Sequence, residues 1–151
     1  MTKKEFLKAQ SYVKKALKDA GIILPKNAEI EIVDFGLNNF DKIGLGIYLK
    51  VNEPEYCSKW MVLKPGQTCP YHKHKKKKET FFCIKGVVDL TVKDKIIKLK
   101  PGDSYTLKRG EYHTFTSKTG AVIEEVSTFD SNADNYFKDK SINREPVKYW
   151  L

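Results

Sequence analysis

Residues 66–79 read Gly66-Gln67-Thr68-Cys69-Pro70-Tyr71-His72-Lys73-His74-Lys75-Lys76-Lys77-Lys78-Glu79, and Gly86 follows shortly after. A second stretch runs from Gly102 through Lys108-Arg109-Gly110 to His113. The chain has 3 histidines, and these two stretches hold all of them. Alternate residues of a strand share a face, so His72 and His74 can reach one point together. Glu79 has the wrong parity to join them on an uninterrupted strand. The run Lys75-Lys76-Lys77-Lys78 must therefore turn or bulge, so that Glu79 opens a second strand and faces back inward. His113 completes the set from a distant strand. Three imidazoles and one carboxylate suit Mn²⁺, Fe²⁺, Co²⁺, Ni²⁺ or Zn²⁺, with positions left open for substrate oxygens. The lack of thiolate ligands argues against a closed structural zinc site. Cys69 stands close to His72, but Pro70 bends the chain between them, and the thiol reads as structural.

Around these stretches apolar residues recur with period two. Strands are predicted over 29–33, 44–50, 58–63, 80–84, 87–92, 96–99, 104–107, 113–116 and 121–128. They are short, separated by turn residues, and lack intervening helices. That pattern indicates an antiparallel sandwich or small barrel and not a parallel α/β sheet. The N-terminus differs. Thr2-Lys3-Lys4-Glu5 is a capping-box pattern. Phe6, Val13, Ala16, Leu17 and Ala20 then follow helical spacing up to Gly21, predicting a helix of about 17 residues. Residues 1–151 are expected to form one domain: helix and entry segment over 1–25, β-barrel over 29–130, C-terminal tail over 131–151. Leu63-Lys64-Pro65-Gly66 recurs as Leu99-Lys100-Pro101-Gly102, each copy upstream of a histidine. Either these are two similar turns, or a duplicated hairpin unit delivers ligands to one pocket.

The composition is 40% hydrophobic and 31% charged, which excludes a disordered or membrane-embedded chain. No apolar run approaches the roughly 18 residues of a spanning helix, and the first residues enter an amphipathic pattern without a signal-peptide core. The net charge of +9 raises nucleic-acid binding. The lysines are spread along the whole chain with no recognition signature, and that reading is set aside. Cys57, Cys69 and Cys83 are odd in number and show no CxxC spacing, as expected of reduced thiols in a cytoplasmic protein.

The paired stretches resemble the two motifs of the cupin superfamily, whose fold is a mainly-β double-stranded β-helix of two packed sheets. The first fits throughout. The second departs at Lys108, where the pattern usually has proline, and at Ser117, where it often has asparagine; neither position binds metal. Within the cupins the chain resembles the D-lyxose ketol-isomerase family. The resemblance is carried by Gly21-Ile22-Ile23-Leu24-Pro25, by Tyr56-Cys57-Ser58-Lys59 ahead of Pro65-Gly66-Gln67, and by His72-x-His74-x-x-Lys77-x-Glu79. Glu125-Val126-Ser127-Thr128 and Asp134-Asn135-Tyr136-Phe137 extend it. It implies an Mn²⁺-dependent aldose–ketose isomerase, a homodimer, acting on D-lyxose and often D-mannose.

The same resemblance implies that Lys77 and Glu125 form the acid–base and polarising pair beside an ion held by His72, His74, Glu79 and His113. Aldose–ketose interconversion moves a proton between C1 and C2 through a cis-enediol(ate), a step a carboxylate can shuttle. A lysine near a divalent cation is expected to have a depressed pKa. Lys77 stands out from its run only by lying two before Glu79. Glu124 and Glu125 point to opposite faces of a strand, and alternation alone leaves the choice open. The resemblance selects Glu125, with Ile123 and Ser127 on its face.

Only 33 residues separate Glu79 from His113, where the family's better-known members have a longer insert. A shorter connection removes part of the pocket wall and bears on the substrate more than on the reaction class. Lys73, Lys75, Lys76 and Lys78 at the mouth leave room for a sugar phosphate or another anionic sugar. An Fe²⁺ dioxygenase and a non-catalytic sugar-binding cupin are the alternatives, because one barrel hosts many chemistries.

Overall fold

The capping box at Thr2 starts helix α1 (Lys3–Asp19). The Thr2 hydroxyl accepts from Glu5 N, and the Glu5 carboxylate accepts from Thr2 N at 2.7 Å. Ala9, Val13 and Leu17 recur at helical spacing and are buried. In this computed structural model, which describes residues 1–147, the rest of the chain is dominated by strands. They are β1 (Glu31–Val33), β2 (Leu45–Asn52), β3 (Cys57–Leu63), β4 (Thr68–Lys73), β5 (Glu79–Gly86) and β6 (Val88–Val92). β7 (Lys95–Leu99), β8 (Ser104–Leu107), β9 (His113–Thr116), β10 (Ala121–Ser127) and β11 (Tyr136–Phe137) follow. Two sheets result, in the orders β1-β2-β3-β10-β5-β8 and β11-β4-β9-β6-β7, with every ladder antiparallel. The expected mainly-β, two-sheet fold with one N-terminal helix is what the chain adopts.

Two strands were not delimited by the sequence reading, although it took His72 to lie on extended backbone. β4 carries Pro70, and its register with β9 slips between Cys69 and His72. A proline donates nothing to a ladder and is tolerated at such an irregularity, yet it reads as a break. β11 has two residues, too few for any period, and pairs with the end of β4. The segment expected as a C-terminal tail therefore docks on the barrel through β11.

The two Leu-Lys-Pro-Gly copies build the same turn. Gln67 N donates to Lys64 O and the Gln67 side chain accepts from Lys64 N; Asp103 does both at Lys100. Each turn carries the chain from one sheet to the other, β3 to β4 and β7 to β8. The first leads directly into the strand of His72, while the second lies a whole strand before His113. The repeat is therefore one of turn geometry.

Phe35, Ile47, Leu63, Phe81, Leu90, Phe115 and Ile123 fill the space between the sheets. A second cluster joins α1 to the outer face of the larger sheet through Val13, Leu17, Ile32, Val62 and Val122. Gly46 makes this approach possible, since a Cβ there would lie 2.3 Å from Val13 Cγ2. Among the described residues no helix is long and apolar enough to cross a membrane.

Candidate metal centre

His72 on β4 pairs in register with His113 on β9, so both rings leave one sheet together. Glu79 is the first residue of β5 in the opposite sheet, and His74 lies in the connection between. One potential ligand atom from each of the four lies within 4.8 Å of all the others. All four side chains are buried.

The hydrogen bonds orient these groups. His72 Nδ1 donates to Pro70 O (2.8 Å), His74 Nδ1 to Asp134 O (2.8 Å) and His113 Nδ1 to Glu111 O (3.1 Å). A carbonyl can only accept, so each ring carries a proton on Nδ1 and turns Nε2 away from that carbonyl. Nε2 of His74 and of His113 stand 3.3 and 3.1 Å from Glu79 Oε1. Both Glu79 oxygens and His113 Nε2 are buried without a hydrogen bond among the described residues, although Lys77 forms an ion pair with Oε2. Buried polar atoms left unmatched are costly. Burial and the neighbouring rings of His113 and His74 push the His72 imidazole well below its usual value, towards the neutral form. Burial opposes charge on Glu79, but Lys77, His74 and His113 outweigh it and hold the carboxyl well below the usual carboxylate range. Three imidazoles and one ionised carboxylate whose ligand atoms lie this close together can hold a divalent metal ion.

Lys77 stands beside this set and is buried, although Lys75, Lys76 and Lys78 are exposed. Its Nζ lies 3.1 Å from Glu79 Oε2 and donates to Glu125 Oε2 (3.2 Å) and Asp130 Oδ1 (2.8 Å). Burial works against the ammonium, yet Glu125, Glu79 and Asp130 together hold it well above its ordinary range. The depressed lysine expected from sequence rests on a neighbouring cation; the three carboxylates act in the opposite direction. Glu125 faces the interior, whereas Glu124 leaves the opposite face of β10 and pairs with Lys50 at 2.6 Å.

Sequence reasoning missed Lys59 and Asp130. Lys59 is paired across β3–β10 with Glu125, is buried, and lies 3.0 Å from Asp130 Oδ2. Burial opposes charge on Asp130 too, but Lys59 and Lys77 outweigh it and hold the carboxyl far below its usual value. A signal for Lys59 existed: Cys57-Lys59-Met61-Leu63 is one face of β3, and a lysine interrupts it. Asp130 lies beyond β10 with no periodic signal.

The cavity beside these groups is lined by His72, His74, Lys77, Glu79, Lys59, Glu125 and Asp130 on the polar side. Phe35, Phe81, Phe115 and Phe137 add apolar wall. Asn135 and Arg144 enter from the segment expected as a tail, and Arg144 Nη1 is buried without a hydrogen bond among the described residues. Lys73, Lys75, Lys76 and Lys78 do not line it. Lys73 and Lys75 instead lie over the rings of Tyr112 and Tyr136.

Residues 59–127 match the family model described as Cupin domain. A D-lyxose/D-mannose isomerase of Thermosediminibacter oceani is 36% identical, with 97% of this chain and 98% of that protein covered. Their alignment spans 177 positions, more than the 151 residues of this chain, so the relative carries additional residues. A D-lyxose ketol-isomerase of Cohnella laeviribosi is 32% identical over 95% of each chain. Among solved structures, an L-ribose isomerase of Acinetobacter sp. DL28 superposes with a TM-score of 0.82 at 16% identity, covering 95% of this chain and 94% of that one. An L-ribose isomerase of Cellulomonas parahominis gives 0.81 at 17%, covering 97% and 96%. These two likenesses concern the fold. The full-length identity to the curated isomerases places the sequence more narrowly: this chain belongs to the cupin superfamily and, within it, to the D-lyxose ketol-isomerase family of sugar isomerases.

Proposed function

We propose that this protein interconverts an aldose and a ketose by moving one proton between C1 and C2, with D-lyxose as substrate and D-mannose as a second one. His72, His74, Glu79 and His113 are the metal ligands in this reading, and Mn²⁺ is the ion that suits a nitrogen and oxygen donor set with a sugar substrate. Such an ion supplies Lewis-acid stabilisation of negative charge on neighbouring sugar oxygens. Glu125 is the base that takes the proton from C2 of the open-chain aldose and returns it to C1, while the O2 hydroxyl proton passes to O1 and the carbonyl moves from C1 to C2. Lys77, an ammonium between Glu79 and Glu125, places its positive charge beside the oxygens on which negative charge builds and so polarises the carbonyl. Lys59 and Asp130 hold Glu125 and Lys77 in place. Phe35, Phe115 and Phe137 keep water from the enediol. Arg144 and Asn135 face the sugar hydroxyls.

One observation carries this reading: Glu125, a buried carboxylate outside the ligand set, meets Glu79 through a single shared ammonium at 3.2 and 3.1 Å. A dioxygenase needs neither group. A phosphorylated sugar loses its support, because the four lysines expected at the mouth do not line the cavity. The buried, disulfide-free cysteines accord with a cytoplasmic protein, and the working form in this reading is a homodimer.

The test is an isomerisation screen of pentoses, hexoses and their phosphates with Mn²⁺, Fe²⁺, Zn²⁺ or chelator. D-lyxose turnover that chelator abolishes and Mn²⁺ restores is the expected result. Absence of turnover on every sugar with every metal overturns the isomerase reading, and light scattering after size exclusion decides the dimer.

A further inference from the structure

The run Lys75-Lys76-Lys77-Lys78 is anchored by a residue nearly sixty positions away. Asp134 closes the short 3₁₀ turn Asn132–Asp134, ahead of β11, and is 5% exposed. Its Oδ1 accepts from Lys75 N (2.9 Å) and Lys76 N (3.2 Å), and its Oδ2 accepts from Lys76 N (3.1 Å) and Lys77 N (3.0 Å). Its own carbonyl accepts from His74 Nδ1 at 2.8 Å. The carboxylate thus fills a concavity of three successive N–H groups, an arrangement suited to an anion. Asp134 does not line the cavity.

We propose that Asp134 is a positioning residue that locks the His74 ring and the base of the Lys77 side chain into one geometry. The proposal rests on the functional reading above. Four consecutive lysines repel one another and have no reason of their own to turn so that one alone points inward. The buried anion offsets that repulsion and sets the backbone of the turn, and with it the origin of the Lys77 stem. The same residue's carbonyl fixes the His74 tautomer, leaving Nε2 free on the side of Glu79. His74 and Lys77 therefore move together or not at all.

A mere brace of the loop would affect only folding. Thr128 provides that comparison, because its Oγ1 accepts from Lys78 N and its N donates to Lys78 O, on the same loop but with these bonds reaching neither His74 nor the Lys77 amide. Asp134→Asn and Thr128→Ala are compared with wild type by Mn²⁺ titration of folded protein and by kcat and KM on the sugar that wild type isomerises. Asp134→Asn is expected to weaken Mn²⁺ binding by about 10–100-fold and to lower kcat more than it raises KM. Thr128→Ala is expected to leave both near wild type. Equal Mn²⁺ affinity and kcat in folded Asp134→Asn and wild type overturn the proposal, as does an equal loss in both variants.

If Asp134→Asn does not fold, wild type alone is used. Mn²⁺ loading is then expected to slow hydrogen exchange at the amides of Lys75, Lys76 and Lys77, and unchanged rates there overturn the proposal. A wild-type protein that binds Mn²⁺ yet isomerises no sugar overturns the functional reading, and the Mn²⁺ titrations still decide Asp134. A wild-type protein that binds no divalent ion overturns both.

Discussion

His72 and His113 stand opposite each other across the β4–β9 ladder, with ring centroids 4.3 Å apart. Each donates its Nδ1 proton to the carbonyl two residues earlier, of Pro70 and of Glu111. The same local device occupies both Nδ1 atoms and leaves both Nε2 atoms for the four-residue group. His113→Ala removes one of the two, and is expected to weaken Mn²⁺ binding more than tenfold. Metal content by mass spectrometry after dialysis checks this; full occupancy in the variant contradicts the four-ligand site.

Glu124 and Glu125 are adjacent and have opposite surroundings, one on the outer face with Lys50 and one inside with Lys77. Glu125→Gln keeps the shape and removes the proposed base, so kcat should fall by about 10²–10⁴-fold with metal content unchanged. Glu124→Gln loses only a partly exposed ion pair, worth about 0–1 kcal/mol, and should keep wild-type kcat. Parallel steady-state assays of the two variants settle the choice.

Gly46→Ala places a methyl group against Val13 and forces α1 off the sheet. Overpacking of this kind costs about 1–3 kcal/mol. The contact lies on the outer face of β2, away from the cavity, so folded variant should retain the kcat of wild type. Urea denaturation together with the assay measures both halves of this expectation.

Asp130 lies between Lys59 and Lys77, and its folded pKa is lowered. A lowered carboxyl contributes stability that is present above the unfolded value, about 3.9, and is lost as pH falls toward the folded one. Asp130→Asn should therefore be less stable than wild type near neutrality, by about 1–3 kcal/mol. The gap should narrow only below about pH 4. Urea midpoints of the two proteins between neutrality and acid test the sign; a gap that widens on acidification refutes it.

Three of the four metal-ligand candidates were legible because their spacing is local: His72 and His74 lie two apart and Glu79 follows across the lysine run, while His113 was legible as the one remaining histidine, behind its own turn. The helix was legible for a similar reason, since the capping box and the apolar stripe of Val13 and Leu17 lie within one short segment. Lys59 was half legible, as a charge on an otherwise apolar face of β3. Asp130, Asp134 and Arg144 were not, because nothing near them in the chain says what they face.

Periodicity and ligand chemistry, read along the chain, thus specify a mainly-β barrel with one helix and a three-histidine, one-carboxylate set. Alternation said that Glu124 and Glu125 diverge; which of them faces inward depended on the pairing of β10 with β3 and β5. The charge state of Lys77 depended on Glu125 and Asp130, some fifty residues away. The physical reason is the range of each effect. Strand parity and capping act between near neighbours, so the chain records them directly. Burial and Coulomb interactions depend on distance in space, and those distances exist only once the C-terminal segment has folded back over the lysine turn.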